Sequence, residues 1–207
     1  MFALSIPALL IITILASWGK AVLGGYYATR VPDAARFRWL FGLIQSVFCG
    51  LAITVLLALS GGLGTVSVTT VILGVILGLA NIITLVTNLA ALERGPFSYT
   101  TVLISLSAVI PALCGPFFGE TVTPVQYAGV ALMIVCLFLS PERKTDENKK
   151  ASLGWLALCG ISAVSNGALG VTQKIHQNSA YKSEMAALLI VAFAVASVFS
   201  AVMMAVE

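Results

Sequence analysis

Charge is what this sequence has least of. Lys, Arg, Asp and Glu make up 9% of its 207 residues, against 59% hydrophobic residues, where a soluble domain carries roughly 25% charged residues. A globule of this length could not cover its surface with so few polar groups. The net charge of +3 is too small to point to a nucleic-acid partner. There is a single histidine, His176. The four cysteines, Cys49, Cys114, Cys136 and Cys159, lie inside apolar runs with no metal-ligand spacing. They read as small buried hydrophobes, and neither a metal nor a cofactor is expected. The N-terminus lacks the basic stretch of a cleaved signal peptide, so the first apolar run is expected to stay as a membrane helix. Period-two alternation, the mark of barrel strands, is missing throughout. These absences leave one class, an all-α polytopic transmembrane bundle whose backbone is satisfied inside its own helices.

What is present are apolar runs near 5–28, 37–59, 66–91, 98–118, 124–140, 152–174 and 183–206, each close to the roughly 20 residues a spanning helix needs. About seven helices are therefore expected, in a multi-pass protein of the cell membrane with the lipid bilayer as its main partner. The breaks between runs have a chemistry of their own. Ser60–Gly64 is a glycine-rich turn. Pro96 suits the first turn of a helix, and Thr123 is placed to cap the one that opens at Pro124. The interval from Pro141 to Ala151 is the one long hydrophilic stretch. It holds seven of the chain's charged residues, which number 11 Lys and Arg and 8 Asp and Glu.

The loops after runs one, three and five carry Arg30, Arg36, Arg38, Arg94, Arg143, Lys144, Lys149 and Lys150. The opposite set carries Lys174 and Lys182. By the positive-inside rule this bias puts the charged interval in the cytoplasm and the N-terminus outside.

Beyond the charged interval the sequence starts again. Ser165 and Gly167 in the sixth run repeat Ser17 and Gly19 in the first at a constant offset of 148 residues. Five helices per block is an odd number, so a second block would sit inverted relative to the first. That is a recurring arrangement in transporters that alternate access to a midplane site.

The stretch from Ala90 to Tyr99, running on to Gln126–Met133, resembles the end of an EamA domain, the repeat unit of the drug/metabolite transporter superfamily. The matching elements are Pro96, Pro111, Gly119, Glu120, Gln126 and Gly129. Ser17–Lys20 resembles the family's Trp-Gly start. The resemblance implies a first five-helix repeat over 1–141, a charged linker at 142–151, and a partial second repeat of two helices over 152–207. It also implies ten helices in a whole member with both termini in the cytoplasm. Three helices are then missing from this chain, and its charge bias favours the opposite orientation.

The expected function is secondary transport of small organic metabolites by alternating access, without enzymatic activity. Runs one, three, four and six would line the path. Lys20 lies about 12 Å from the end of the first run. It either faces a cavity, where it would attract an anionic group, or its stem snorkels to the interface. Asn81, Thr84 and Asn88 share one helix face, as Ser162, Asn166 and Gln173 do on the sixth run. Each set either lines a path or hydrogen-bonds neighbouring helices. Gln45 and Ser105 read as isolated packing positions, and Glu93 and Glu120 as helix-end groups. Gly74 and Gly78 form a Gly-x-x-x-Gly pair suited to close helix approach. Lys174 and His176, near the end of the sixth run, read as solvated or headgroup-facing.

Three other readings compete. A seven-helix receptor matches the helix count, yet a retinal protein needs a lysine inside its last helix, and 183–206 holds none. An intramembrane enzyme would need paired aspartates, a serine–histidine set or a zinc pattern within the spans. A fragment with no activity alone, or a homodimer, would account for the incomplete second block.

Overall fold

The computed structural model describes residues 34–59, 66–119, 123–139 and 152–206, with Gly64 and, in the first run, helical Ile11, Leu15, Gly19, Val22, Leu23 and Tyr26. Among the described residues every regular element is helical. We label them α1 (Ala34–Leu59), α2 (Val68–Arg94), α3 (Phe97–Ser105), α4 (Val109–Cys114), α5 (Pro124–Leu139), α6 (Leu153–Gln177) and α7 (Met185–Val206).

Five described stretches are long and apolar enough to cross a membrane: Arg36–Leu59, Val68–Arg94, Phe97–Phe118, Leu153–Gln177 and Lys182–Val206. The architecture is that of a multi-pass membrane protein. α5, expected to span, is helical over 16 described residues, short of the roughly 20 that a span needs.

Local chemistry sets the helix starts. The Ser67 hydroxyl accepts from the Thr70 N–H at 3.2 Å, and that of Ser152 from the Trp155 N–H at 3.2 Å, which is the side-chain capping of an orphan donor. Thr123 sits before α5, but there the reach runs the other way, from the glutamine back to the threonine. Its N–H donates to Gln126 Oε1 at 2.7 Å, the glutamine half of a capping box.

The long apolar stretch Phe97–Phe118 is broken into α3 and α4 by a 3₁₀ turn over Leu106–Ala108. Pro111 supplies the reason. It has no N–H to give to the Ser107 carbonyl four residues back, and its ring crowds that carbonyl.

Glycines set how closely the helices pack. α2 and α7 run parallel, and a Cβ on Gly74 would lie 2.8 Å from the Val191 side chain, while one on Gly78 would fall within contact of the Ala192 carbonyl. The Gly-x-x-x-Gly pair is a close-approach device, as its spacing implied. Beside it, Leu77, Leu188 and Ala192 form one buried cluster, and Ile82, Leu85, Leu89 and Ala196 form another against Trp39 and Phe41 of α1.

α6 runs antiparallel to α2. At one end Trp155 is buried against Gly95, whose missing side chain leaves room for the indole. The indole Nε1 donates to Thr100 Oγ1 at 2.8 Å. At the other end His176 meets Thr70. Arg38 and Arg94 therefore share an end with the start of α6, and Lys174 and Lys182 lie at the opposite end.

Thr100→Val should strand the buried indole N–H and lower stability by about 1–3 kcal/mol. Equilibrium unfolding in mild detergent checks this, and an unchanged midpoint would mean that the indole finds another acceptor.

Candidate functional site

Three elements meet near the middle of the bundle. Ser107 lies close to the midpoint of Phe97–Phe118, Asn166 to that of Leu153–Gln177, and Asn81 and Thr84 to that of Val68–Arg94. The Asn166 amide donates to the Ser107 hydroxyl at 2.6 Å, and Ser162 Oγ donates to the Thr84 carbonyl at 3.3 Å. Ser107 is 2% exposed and Ser162 is fully buried. Ser162 and Asn166 of α6 thus reach the α2 backbone on one side and the break between α3 and α4 on the other, along one seam.

The glycines of α6 bring that break within reach. A Cβ on Gly167 would overlap Ile110, and one on Gly170 would lie 2.8 Å from Pro111. α6 therefore presents bare backbone to the Ile110 and Pro111 side chains of the broken helix. Irregular backbone at membrane depth is tolerated where it is buried in protein or lines a cavity.

The individual residues differ in how they are spent. Thr84 Oγ1 returns its proton to its own helix, at the Ala80 carbonyl 2.8 Å away, so its side chain is a helix-internal group. Asn81 and Asn88, three residues before and four after Thr84, share its face. The half-buried side chains of Asn81, Asn88 and Gln173 make no hydrogen bond among the described residues. Their capacity is unspent. Lys20, Glu120 and the charged interval at 142–151 lie outside the described residues. Ser105 donates to the Thr101 carbonyl of its own helix at 2.7 Å and is exposed.

The seam is neutral. Within the described part of α2, α3, α4 and α6 the Asp, Glu, Lys, Arg and His side chains sit at the helix ends. Amides and hydroxyls offer both donors and acceptors there, in a setting where an unpaired polar group is costly. Such a lining suits a small polar solute. Sequence reasoning missed Ser107. The clue was the proline four positions on, which frees the turn that carries it.

The histidine departs from its expected place. Far from being solvated, His176 is 0% exposed. α6 runs on to Gln177, and the following turn folds Glu184 back over it. Glu184 Oε2 accepts from the Ser67 N–H at 2.9 Å, from Ser67 Oγ at 2.9 Å and from Thr70 Oγ1 at 2.6 Å. Thr70 Oγ1 also lies 3.2 Å from His176 Nε2.

No family model, curated protein or solved structure matches the chain.

Proposed function

We propose that this membrane protein is a secondary transporter of small polar organic metabolites, related to the EamA-domain proteins of the drug/metabolite transporter superfamily. The solute would pass through the seam between α2, α6 and the α3–α4 break. The observation that carries the reading is the mid-depth meeting of Asn166 with Ser107 at 2.6 Å, beside the unspent amides of Asn81 and Asn88. Midplane sites built at broken helices are the recurring solution in secondary transporters. The Ser-x-Gly echo across the charged interval is consistent with an inverted repeat.

In this reading Asn81, Asn88, Asn166 and Gln173 bind solute hydroxyl, amide or ammonium groups. Thr84 and Ser162 hold the two lining helices in register. Lys20, if it reaches the same path, would select for an anionic group on the solute.

The test is counterflow of pooled labelled amino acids, sugars and nucleosides into proteoliposomes of the full chain. Asn166→Ala and Ser107→Ala should each slow the transported solute roughly tenfold, the worth of one hydrogen bond to a buried polar group. Gly160→Ala, at a position with open space around it, should carry it as the wild type does. Uptake equal to that of empty vesicles across the panel would sink the proposal, and so would full-speed seam variants.

A further inference from the structure

His176 has one ring nitrogen engaged and one not. Nε2 faces Thr70 Oγ1 at 3.2 Å, while Nδ1 is buried with no partner among the described residues. Thr70 has a single hydroxyl proton, and its short contact of 2.6 Å to Glu184 Oε2 assigns that proton to the carboxylate. Thr70 must then accept from His176, so Nε2 carries hydrogen and Nδ1 is bare. The result is a directed chain from imidazole to hydroxyl to carboxylate. It spans three elements separated by 106 and 114 residues in sequence. Its inner end is fully buried, and its outer end, Glu184, is half-exposed at the α6–α7 turn.

We propose that His176, Thr70 and Glu184 form a proton relay between the interior of the bundle and this face of the membrane. A proton arriving at Nδ1 makes the imidazolium. The Nε2 proton then passes to Thr70 Oγ1 as the hydroxyl proton passes to Glu184 Oε2. This leaves a neutral imidazole protonated at Nδ1, an intact hydroxyl and a protonated carboxyl group. Glu184 releases its proton to water, and one proton has crossed the relay with no other reactant. Rotation of the hydroxyl and reorientation of the imidazole ring, with no further proton exchanged, reset the chain.

Among the described residues, the charged groups at this end are Glu184, Lys174 on α6 and Lys182 before α7, and Glu184 is the one in electrostatic contact with His176. α2 brings hydroxyls but no charge to this end. Imidazole suits the task because it exchanges protons near neutral pH through two distinct nitrogens. Ionisable groups held inside membrane bundles recur as proton relays. The relay supplies a coupling ion for whatever the seam carries, but it stands apart from that reading and is testable without a solute.

His176 is the chain's sole histidine, so ¹⁵N-histidine labelling of the full chain in detergent micelles reports one imidazole. The wild type should show the Nε2–H tautomer at alkaline pH, with its proton in exchange with water despite full burial. Thr70→Val should slow that exchange at least tenfold and lose the tautomer preference, whereas Thr70→Ser should keep both. Glu184→Gln keeps an acceptor oxygen but cannot take the proton. It should slow exchange comparably, which guards against Thr70→Val simply loosening the packing. An Nδ1–H tautomer in the wild type would overturn the relay. So would Thr70→Val and Glu184→Gln variants that exchange as fast as the wild type.

Discussion

Gly78→Val is expected to force α2 away from α7 and to lower the stability of the bundle by about 3 kcal/mol. A Cβ at this position would overlap the Ala192 backbone, which cannot rotate aside as a side-chain tip could. The next layer is equally closed, since a Cβ on Gly74 would lie 2.8 Å from Val191 and 3.1 Å from the Leu188 carbonyl. The loss therefore spreads over the parallel contact and cannot be absorbed at one point. In lipid, helix association depends on such close packing, because hydrocarbon competes for apolar side chains as well as a neighbouring helix does. Unfolding measured by steric trapping in bicelles should show it. Gly160→Ala is the matched control, since nothing lies within 4 Å of its Cβ and alanine favours the helix. Equal stability of the two variants would mean that α2 and α7 do not depend on backbone contact.

Glu93→Ala should cost about 2–3 kcal/mol, just under the range for breaking a fully buried pair. Glu93 accepts from Arg38 across the α1–α2 contact, with 16% and 15% of their side chains exposed. Removing the carboxylate leaves a guanidinium mostly out of water, and its Nε is already buried without a partner among the described residues. The double replacement Arg38→Met with Glu93→Leu should recover most of the loss, since it removes both desolvated charges together. A double variant as unstable as the single would show that the pair itself, and not the stranded charge, holds α1 to α2.

Much of the fold was legible because a bilayer makes the code coarse. The runs at 37–59, 66–91 and 98–118 became Ala34–Leu59, Val68–Arg94 and Phe97–Phe118, with ends displaced by a few residues. The helix start at Thr123 was readable because it is set within a few residues, and the Gly74–Gly78 pair because its spacing bares one helix face whichever helix comes to lie on it.

The candidate site was legible only in part. Spacing gave the shared faces of Asn81, Thr84 and Asn88 and of Ser162 and Asn166. It could not say that Thr84 would turn its hydroxyl to its own backbone, or that Asn166 would find Ser107 fifty-nine residues away. His176 shows the limit most clearly. Its position near a helix end suggested water, yet its burial depends on Ser67, Thr70 and Glu184, more than a hundred residues distant or across a turn. Nothing local in the sequence carries that information.

The break at Pro111 has a consequence for how such a protein diverges. A side chain that greets a solute can be exchanged in one mutational step, but a main-chain carbonyl is present whatever residue bears it. With Pro111 in place, the oxygen of residue 107 shares the Val109 N–H with that of Leu106 and keeps, at mid-depth, the lone pair that a helical N–H at 111 would have taken. Drift among the surrounding amides would retune shape and size while this acceptor persisted. On the transport reading proposed above, descendants of such a chain would be free to change which molecule they carry, yet biased throughout toward molecules that offer a donor to that oxygen.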